Sequence, residues 1–435
     1  MENNRKETLK LLNKTFKDNS YSNILLDNVL SDQNISQQDR RFITSLYYGV
    51  IERKITLDYI ISLYSNKSIK KLDPTVLNIL RMGIYQIKYM DGIPDNAAVN
   101  ESVKLVRSFK LASAAGFVNA VLRHFIRDGC KFHEPEETME CLSVRYSVDP
   151  GIIKILYDGY GSLFAETFLE RLNNKPPVYL RINSIYKDED KFFDGLGPII
   201  ADKKNFPDFC SQVSGGNLVK TRAFSEGRFH VQDISSQLAC AALAPCEGET
   251  VLDLCSAPGG KAFTMAEIMN NTGHIYAFDI HQSRVELIKQ GAKRLGIKNI
   301  ETLVGDASEY NERFRNADKV LCDVPCSGIG VMGKKPDIRY KSPEEFEKLP
   351  ELQYKILENA ARYLKTGGEL VYSTCTLNPR ENDQVIDKFL SEHENFKGVS
   401  FFEELGNPFG DYKVTLGTDP FNGDGFFISK IKRKE

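Results

Sequence analysis

The sequence predicts three parts: an all-α domain over residues 1–133, a helical plus small α/β connector over 134–228, and a doubly wound α/β domain over 229–435. Three observations lead there. Apolar residues recur at helical spacing through the first third, as in Ile43-Leu46-Tyr47-Val50-Ile51 and Leu77-Leu80-Ile84-Ile87. From Gly227 to Ser429 short apolar strands alternate with helical patterns, which argues a largely parallel sheet covered on both faces. Between Glu249 and Lys261 a strand carrying Val251, Leu252 and Leu254 runs into the turn Ala257-Pro258-Gly259-Gly260 and then into a helix. Strand, glycine turn, helix is the ligand-binding corner of such a sheet.

Composition bounds the rest. A chain of 435 residues has ample core for several domains. No apolar run is long enough to cross a bilayer, and no hydrophobic segment follows the opening Met-Glu-Asn-Asn-Arg-Lys, so neither a membrane span nor a secretory signal is read. The nine cysteines are odd in number, scattered, and never form Cys-x-x-Cys. That argues against a disulfide framework or a zinc site and for a reducing cytoplasm. The net charge of −2 hides an asymmetry: residues 1–133 hold 20 Lys and Arg against 13 Asp and Glu, a balance of +7 beside −9 for the remainder. A basic third on an acidic remainder suggests a polyanion-binding module attached to an enzyme; a solvated charged surface explains it equally well.

In order along the chain, Asp73-Pro74 reads as a helix start, with proline in the first turn. Gly92-Ile93-Pro94-Asp95 is a turn before a helix from about Ala97 to Ser108, and Ala115 to Arg123 a close-packed final helix. Several helices with short connections make a bundle. In the connector, Leu142 to Asn174 reads as helical with a turn at Asp149-Pro150-Gly151. Val178 to Asn183 reads as a strand, Asp188 to Leu196 as a helix, and Leu218-Val219 as part of a later strand. At the far end, Lys430 to Lys434 reads as a frayed basic tail.

The glycine turn does not suit a phosphate. Cys255 stands where a phosphate loop needs its first glycine and Ala262 follows the lysine, so no hydroxyl is left for magnesium, and the dinucleotide glycine pattern also fails. Asp253 at the strand end suits a cationic ligand, and S-adenosylmethionine carries both an ammonium and a sulfonium. Ile275 to Phe278 reads as the next strand and ends in Asp279, placed to accept hydrogen bonds from ribose hydroxyls. A third strand, Glu301 to Val304, leads to Asp306, which can reach an adenine amino group. Singly, an Asp after a strand is more often a cap or turn former; three in order favour a nucleoside cofactor.

Two later strand ends each carry a cysteine, in Asp323-Val324-Pro325-Cys326-Ser327-Gly328 and Ser373-Thr374-Cys375-Thr376. Most lone cysteines are small buried hydrophobes, the reading given to Cys240, Cys246, Cys255 and Cys322. Cys326 and Cys375 sit in polar turns at strand ends, where a thiolate is a candidate nucleophile. Pyrimidine C5 attacks a sulfonium methyl only after a thiolate has added at C6, which needs a thiol, a group on the N3/N4 edge and a base. Asp323 is placed for the edge, and Cys375 or Cys326 for the attack. An amine methyltransferase would carry Asp/Asn-Pro-Pro-Tyr/Phe where this chain has Asp-Val-Pro-Cys, so carbon methylation is the better reading.

Two resemblances add to this. Val76 to Gly83, Ala97 to Glu101 and Gly116 to Arg123 resemble the antitermination factor NusB, a helical RNA-binding domain, which implies RNA contact by Lys and Arg of the first third. Val251–Lys261, Gly305-Asp306-Ala307, the two cysteine turns and Asn378-Pro379-Arg380-Glu381-Asn382 resemble the Sun family of RNA 5-methylcytosine methyltransferases, whose catalytic domain is Rossmann-like. The likeness covers nearly the whole chain and is weakest between about 134 and 228. It implies methyl transfer from S-adenosylmethionine to C5 of a cytosine in 16S ribosomal RNA, met before the subunit is fully assembled, by a monomer that needs neither metal nor membrane.

The resemblance implies that Cys375 is the nucleophile and that Cys326 assists product release. It also implies cofactor contacts from Cys255, Ser256, Ala257, Pro258, Gly259, Gly260 and Lys261 and from Asp279, Asp306 and Asp323. Lys261 also approaches the substrate, and Arg284, a turn after Asp279, either supports the cofactor side or is a surface arginine. Ser256 and Ala262 stand where the family often has Ala and Thr. Two alternatives stay open: a transfer-RNA or DNA cytosine methyltransferase, the latter promoting Cys326 to nucleophile, and a non-catalytic RNA-binding protein on a vestigial fold.

Overall fold

The computed structural model describes residues 2–18, 22–30, 35–186, 200–203, 210–213, 218–402, 412–420 and 422–435. They form two compact units, residues 1–157 with 334–342, and residues 158–333 with 343–435.

The first unit is helical: α1 (Glu2–Asp18), α2 (Ser22–Leu30), α3 (Gln37–Glu52), α4 (Lys54–Tyr64), α5 (Pro74–Tyr89), α6 (Asp95–Ser108), α7 (Ala115–Arg127), α8 (Thr138–Tyr146) and the start of α9 (Pro150–Arg171). Their apolar faces share one core, with Leu12, Leu46, Val50, Leu80, Leu122 and Phe125 fully buried. As the Asp-Pro pair predicted, Asp73 caps α5, accepting the Thr75 and Val76 amides at 2.8 and 3.2 Å. Arg81, buried in α5, meets Asp58 through two parallel hydrogen bonds of 2.6 and 2.7 Å. Unforeseen in the sequence is a strap, residues 334–342, that returns to this unit from far along the chain. Ser22 donates to Asp337 at 2.6 Å, Arg339 donates to the Glu52 carbonyl at 3.1 Å, and the Tyr340 hydroxyl donates to the Ile51 carbonyl.

The second unit opens on a four-stranded antiparallel sheet in the order β2-β3-β1-β4, from β1 (Val178–Ile182), β2 (Ile200–Lys203), β3 (Cys210–Val213) and β4 (Phe229–Val231). Leu218-Val219, expected in a strand, is instead a helical turn, Leu218–Lys220. The Thr221 hydroxyl decides this by donating to the Leu218 carbonyl and capping the next turn through the Phe224 amide. The expected helix Asp188–Leu196 lies outside the described residues.

Among the described residues the main sheet has eight strands. Its path is β10-β12-β9-β8-β5-β6-β7, with β11 also on β12. The strands are β5 (Thr250–Asp253), β6 (His274–Asp279), β7 (Ile300–Val304), β8 (Ala317–Asp323), β9 (Leu364–Thr374), β10 (Phe396–Gly398), β11 (Lys413–Leu416) and β12 (Phe426–Arg433). Strands β5 to β9 pair in parallel and β12 is antiparallel to β9. Period-two alternation feeds two cores: Val251, Ile275, Leu321, Val371 and Ile428 face one side, and Leu252, Val320, Cys322, Tyr372 and Phe427 the other. Helices α10 (Ile234–Leu243), α11 (Gly260–Ile268), α12 (Gln282–Leu295), α13 (Leu349–Tyr363) and α14 (Asp383–Glu392) cover the sheet.

Lys430–Lys434 is no frayed tail. Strand β12 continues to Arg433, and Lys430 and Lys319 converge on Glu369 at 3.0 and 2.6 Å. The charges that suggested fraying are neutralised across adjacent strands. Among the described residues no helix is long and apolar enough to cross a membrane, and no cluster of His, Cys, Asp and Glu is arranged to hold a metal.

Candidate active site

The chain reverses direction across the sheet between β5 and β8, and the crevice at their carboxyl ends is where an open α/β sheet binds ligands. Asp253 ends β5, Asp279 ends β6, and Asp323 ends β8 level with Ser373 of β9. That register explains why the two cysteine turns meet: Cys326 lies three residues beyond Asp323 and Cys375 two beyond Ser373. Their sulfurs stand 3.3 Å apart.

The glycine turn is built for close approach. Gly259 has φ 107°, and a Cβ there would lie 2.4 Å from the Phe263 ring, so only glycine lets the chain enter α11 at this point. The Ser256 amide donates to the Phe278 carbonyl at 2.7 Å, which ties the loop to β6. Arg284 spans the same gap: it pairs with Asp279 at 3.1 Å and donates to the Ala257 carbonyl at 3.1 Å. It is therefore a brace between loop and strand tip.

A crevice of about 230 Å³ is lined by Asp253, Cys255, Ser256, Ala257, Pro258, Gly260, Lys261 and Asp323, and by Gln232 and Asp233. Asp253 is fully buried, and neither of its oxygens has a satisfied hydrogen bond. Burial pushes its carboxyl up to about 7, opposed by the nearby Ser256 hydroxyl and reinforced by the Asp323 charge. An orphaned carboxylate facing a glycine cradle fits the ammonium end of S-adenosylmethionine. Lys261 donates to Asp323 at 2.7 Å, and Ser373 donates to the other Asp323 oxygen at 2.8 Å. Burial opposes the Lys261 charge, but Asp323 outweighs it and holds the ammonium above its ordinary range.

The predicted acids do not all share this crevice. Asp279, 4% exposed, accepts the His281 amide at 3.0 Å as well as Arg284. Asp306 accepts the Ser308 amide at 2.8 Å, which holds its carboxyl below the usual range, and it lines a separate hollow of about 410 Å³ with Leu254, Phe278 and Tyr310. The two hollows flank the β5 and β6 tips. A more open hollow of about 680 Å³ beside Lys355, Arg362 and Arg433 contains none of the strand-end acids or cysteines. Among the other cysteines, Cys240 and Cys322 are buried as expected and Cys255 is half-buried. Cys246 departs from that reading: it is exposed, in the turn where its amide meets Glu249.

The sequence reading missed the frame around the thiols. Ser327 and Thr376, each next to a cysteine, share a 2.6 Å hydrogen bond. The fully buried Glu381 accepts the Ser327 amide, Gln353 and Asn378, each at 2.9 Å, and its carbonyl accepts the Tyr372 hydroxyl at 2.7 Å. Asn382 accepts the Thr374 hydroxyl at 2.6 Å and donates to the Thr376 carbonyl at 2.9 Å. The available signal was Asn378-Pro379-Arg380-Glu381-Asn382, a run of hydrogen-bonding residues just past Cys375. The Cys326 thiol is held well above its ordinary range, first by its hydrogen bond with Cys375 and then by burial.

Comparison with known proteins agrees with this architecture. Residues 2–127 match the NusB family, and residues 240–432 match the family described as 16S rRNA methyltransferase RsmB/F. The probable ribosomal RNA small subunit methyltransferase B of Bacillus subtilis is 37% identical over 438 residues, covering 98% of both chains. Its counterpart in Synechocystis is 33% identical, covering 95% of this chain and 96% of that one. The crystal structure of PH0851 superimposes with a TM-score of 0.82 at 25% identity, covering 98% of this chain and 99% of that one.

Proposed function

The chain belongs to the ribosomal RNA small subunit methyltransferase B family, and we propose that it methylates C5 of a cytosine in 16S ribosomal RNA, using S-adenosylmethionine and a covalent adduct between Cys375 and C6. The observation that carries the reading is the pair of sulfurs 3.3 Å apart beside the Lys261–Asp323 pair. When bound, the cofactor supplies an electrophilic methyl group. Residues 255–261, Asp279, Asp306 and Asp323 would hold it, with Asp253 receiving its positive end.

The residues divide the work as follows. The Cys375 thiolate adds to C6, and the ring electrons move to C5, where the methyl is accepted. Asp323 accepts from the N4 amino group on the N3/N4 edge and orients the ring, and the Lys261 ammonium beside it offsets the negative charge that addition creates. Cys326 then serves release. Its sulfur lies 3.3 Å from that of Cys375, and with its own proton passed to water its thiolate takes the C5 proton. Departure of the C5 proton returns electrons to the ring and expels Cys375. The target cytosine must leave its stack to enter the crevice, so a splayed nucleotide is the expected substrate. The exposed Lys67, Lys70, Lys71, Arg107, Lys110 and Arg123 of the first unit are candidates to hold flanking RNA.

The direct test uses unmodified 16S ribosomal RNA labelled with tritium at cytosine C5. Cofactor-dependent release of tritium to water supports the reading. Methyl incorporation without tritium release would exclude C5 as the acceptor, and activity on transfer RNA alone would move the substrate.

A further inference from the structure

One group on the crevice wall has no part in the reaction above. Gln232 follows β4, is 7% exposed, and lines the crevice with Asp253, Gly260 and Lys261. Its oxygen is held from behind: the Thr264 hydroxyl donates to Oε1 at 2.6 Å and His230 Nε2 lies 3.2 Å away. Its amide nitrogen is buried and unpartnered, and lies 3.7 Å from where a Cβ on Gly260 would stand. The free N–H groups therefore flank the first turn of α11, whose backbone amides are themselves unsatisfied donors.

A buried chain of groups decides which end of the amide faces forward. Arg181 donates to Glu267 Oε2 at 2.6 Å, and Glu267 Oε1 faces His230 Nδ1 at 3.5 Å. Burial pushes Glu267 up to about 7 and His230 down to about 3. Between about pH 3 and neutrality His230 is uncharged. The Thr264 hydroxyl and, in its Nε2–H tautomer, the neutral His230 ring both donate to Gln232 Oε1. The amide nitrogen is left as a donor directed into the crevice.

We propose that Gln232 Nε2, with the N-terminal amides of α11, holds the carboxylate at the amino-acid end of the cofactor while Asp253 holds the ammonium. The inference rests on the S-adenosylmethionine reading and extends it to a subsite. A neutral donor suits the position: a cation there would pair with buried Asp253 instead, and Lys261 is already committed to Asp323. The helix end adds a favourable field for the negative charge.

The test is calorimetric titration of the full-length protein with S-adenosylhomocysteine and with its decarboxylated and its deaminated analogues. Gln232→Ala should cut the preference for S-adenosylhomocysteine over the decarboxylated analogue by about tenfold, the weight of one hydrogen bond to a charged group, and leave the preference over the deaminated analogue intact. Gln232→Glu, of the same size but negative, should favour the decarboxylated analogue. Equal weakening of all three ligands would make Gln232 structural and overturn the proposal. A preference reduced over the deaminated analogue alone would mean that the amide presents its oxygen, which also overturns it. Failure of the parent protein to bind any of the three would sink the cofactor reading itself.

Discussion

Cys326 and Cys375, 49 residues apart in the chain, bring their sulfurs to 3.3 Å at the carboxyl ends of two adjacent parallel strands. Their turns are locked by the Ser327–Thr376 hydrogen bond, so neither sulfur can withdraw without breaking a buried interaction. At that spacing one pyrimidine ring can touch both.

Division of labour between the thiols is tested by trapping. With S-adenosylmethionine and unmodified 16S ribosomal RNA, Cys326→Ala should accumulate a protein–RNA adduct that survives denaturing electrophoresis, and Cys375→Ala should form none. The inverse pattern would exchange the two roles.

Glu381 is a positioning residue. Glu381→Ala would strand three buried donors, each costing about 1–3 kcal/mol, and should lower the melting temperature markedly. Glu381→Gln keeps the volume but puts a donor where an acceptor is needed. It should lower kcat while leaving affinity for S-adenosylhomocysteine unchanged, because Glu381 does not line the cofactor crevice. Unchanged kcat in a folded variant would reduce Glu381 to scaffolding.

Asp253 predicts a pH dependence. Its carboxyl titrates near 7 in the folded chain, against about 3.9 when unfolded, so between those values the folded state binds the extra proton. Stability of the free protein should therefore fall as pH rises from about 4 to about 7, and Asp253→Asn should raise the melting temperature at pH 8. Binding of a cationic ligand favours the ionised form, so affinity for S-adenosylhomocysteine should rise with pH through about 7. A flat affinity profile in the parent protein would remove Asp253 from the ammonium site.

The first unit should act through charge. Lys70→Ala with Lys71→Ala should weaken RNA binding and reduce the slope of log affinity against log salt by about 1 for each phosphate no longer neutralised. Cofactor affinity should stay at the parent value. An unchanged salt slope would show that these lysines face solvent rather than RNA.

Much of this molecule is readable without coordinates, because local rules govern it. Helical spacing exposes the bundle core, Asp73-Pro74 marks a helix start, and Val251-Leu252 alternates between the faces that β5 presents. The glycine turn and the strand-end acids are legible because backbone geometry and ligand chemistry demand particular residues at short spacing. Lys430–Lys434 misled because its charges look solvated until Glu369 of the neighbouring strand is seen.

Residue pattern alone was enough for the helical first third, for the strand, glycine turn and helix between Thr250 and Ile268, and for Cys326 and Cys375 just past two strand ends. It took the folded chain to establish that those sulfurs meet, that Asp253 is buried without a hydrogen bond, that Asp306 opens on a different hollow from Asp253, and that Glu381 and Gln232 face the groups they do. The difference is one of range. Propensity, capping and periodicity act over a few neighbours, whereas burial, pKa and hydrogen-bond partnership depend on groups from distant parts of the chain, brought together by the parallel register of the sheet.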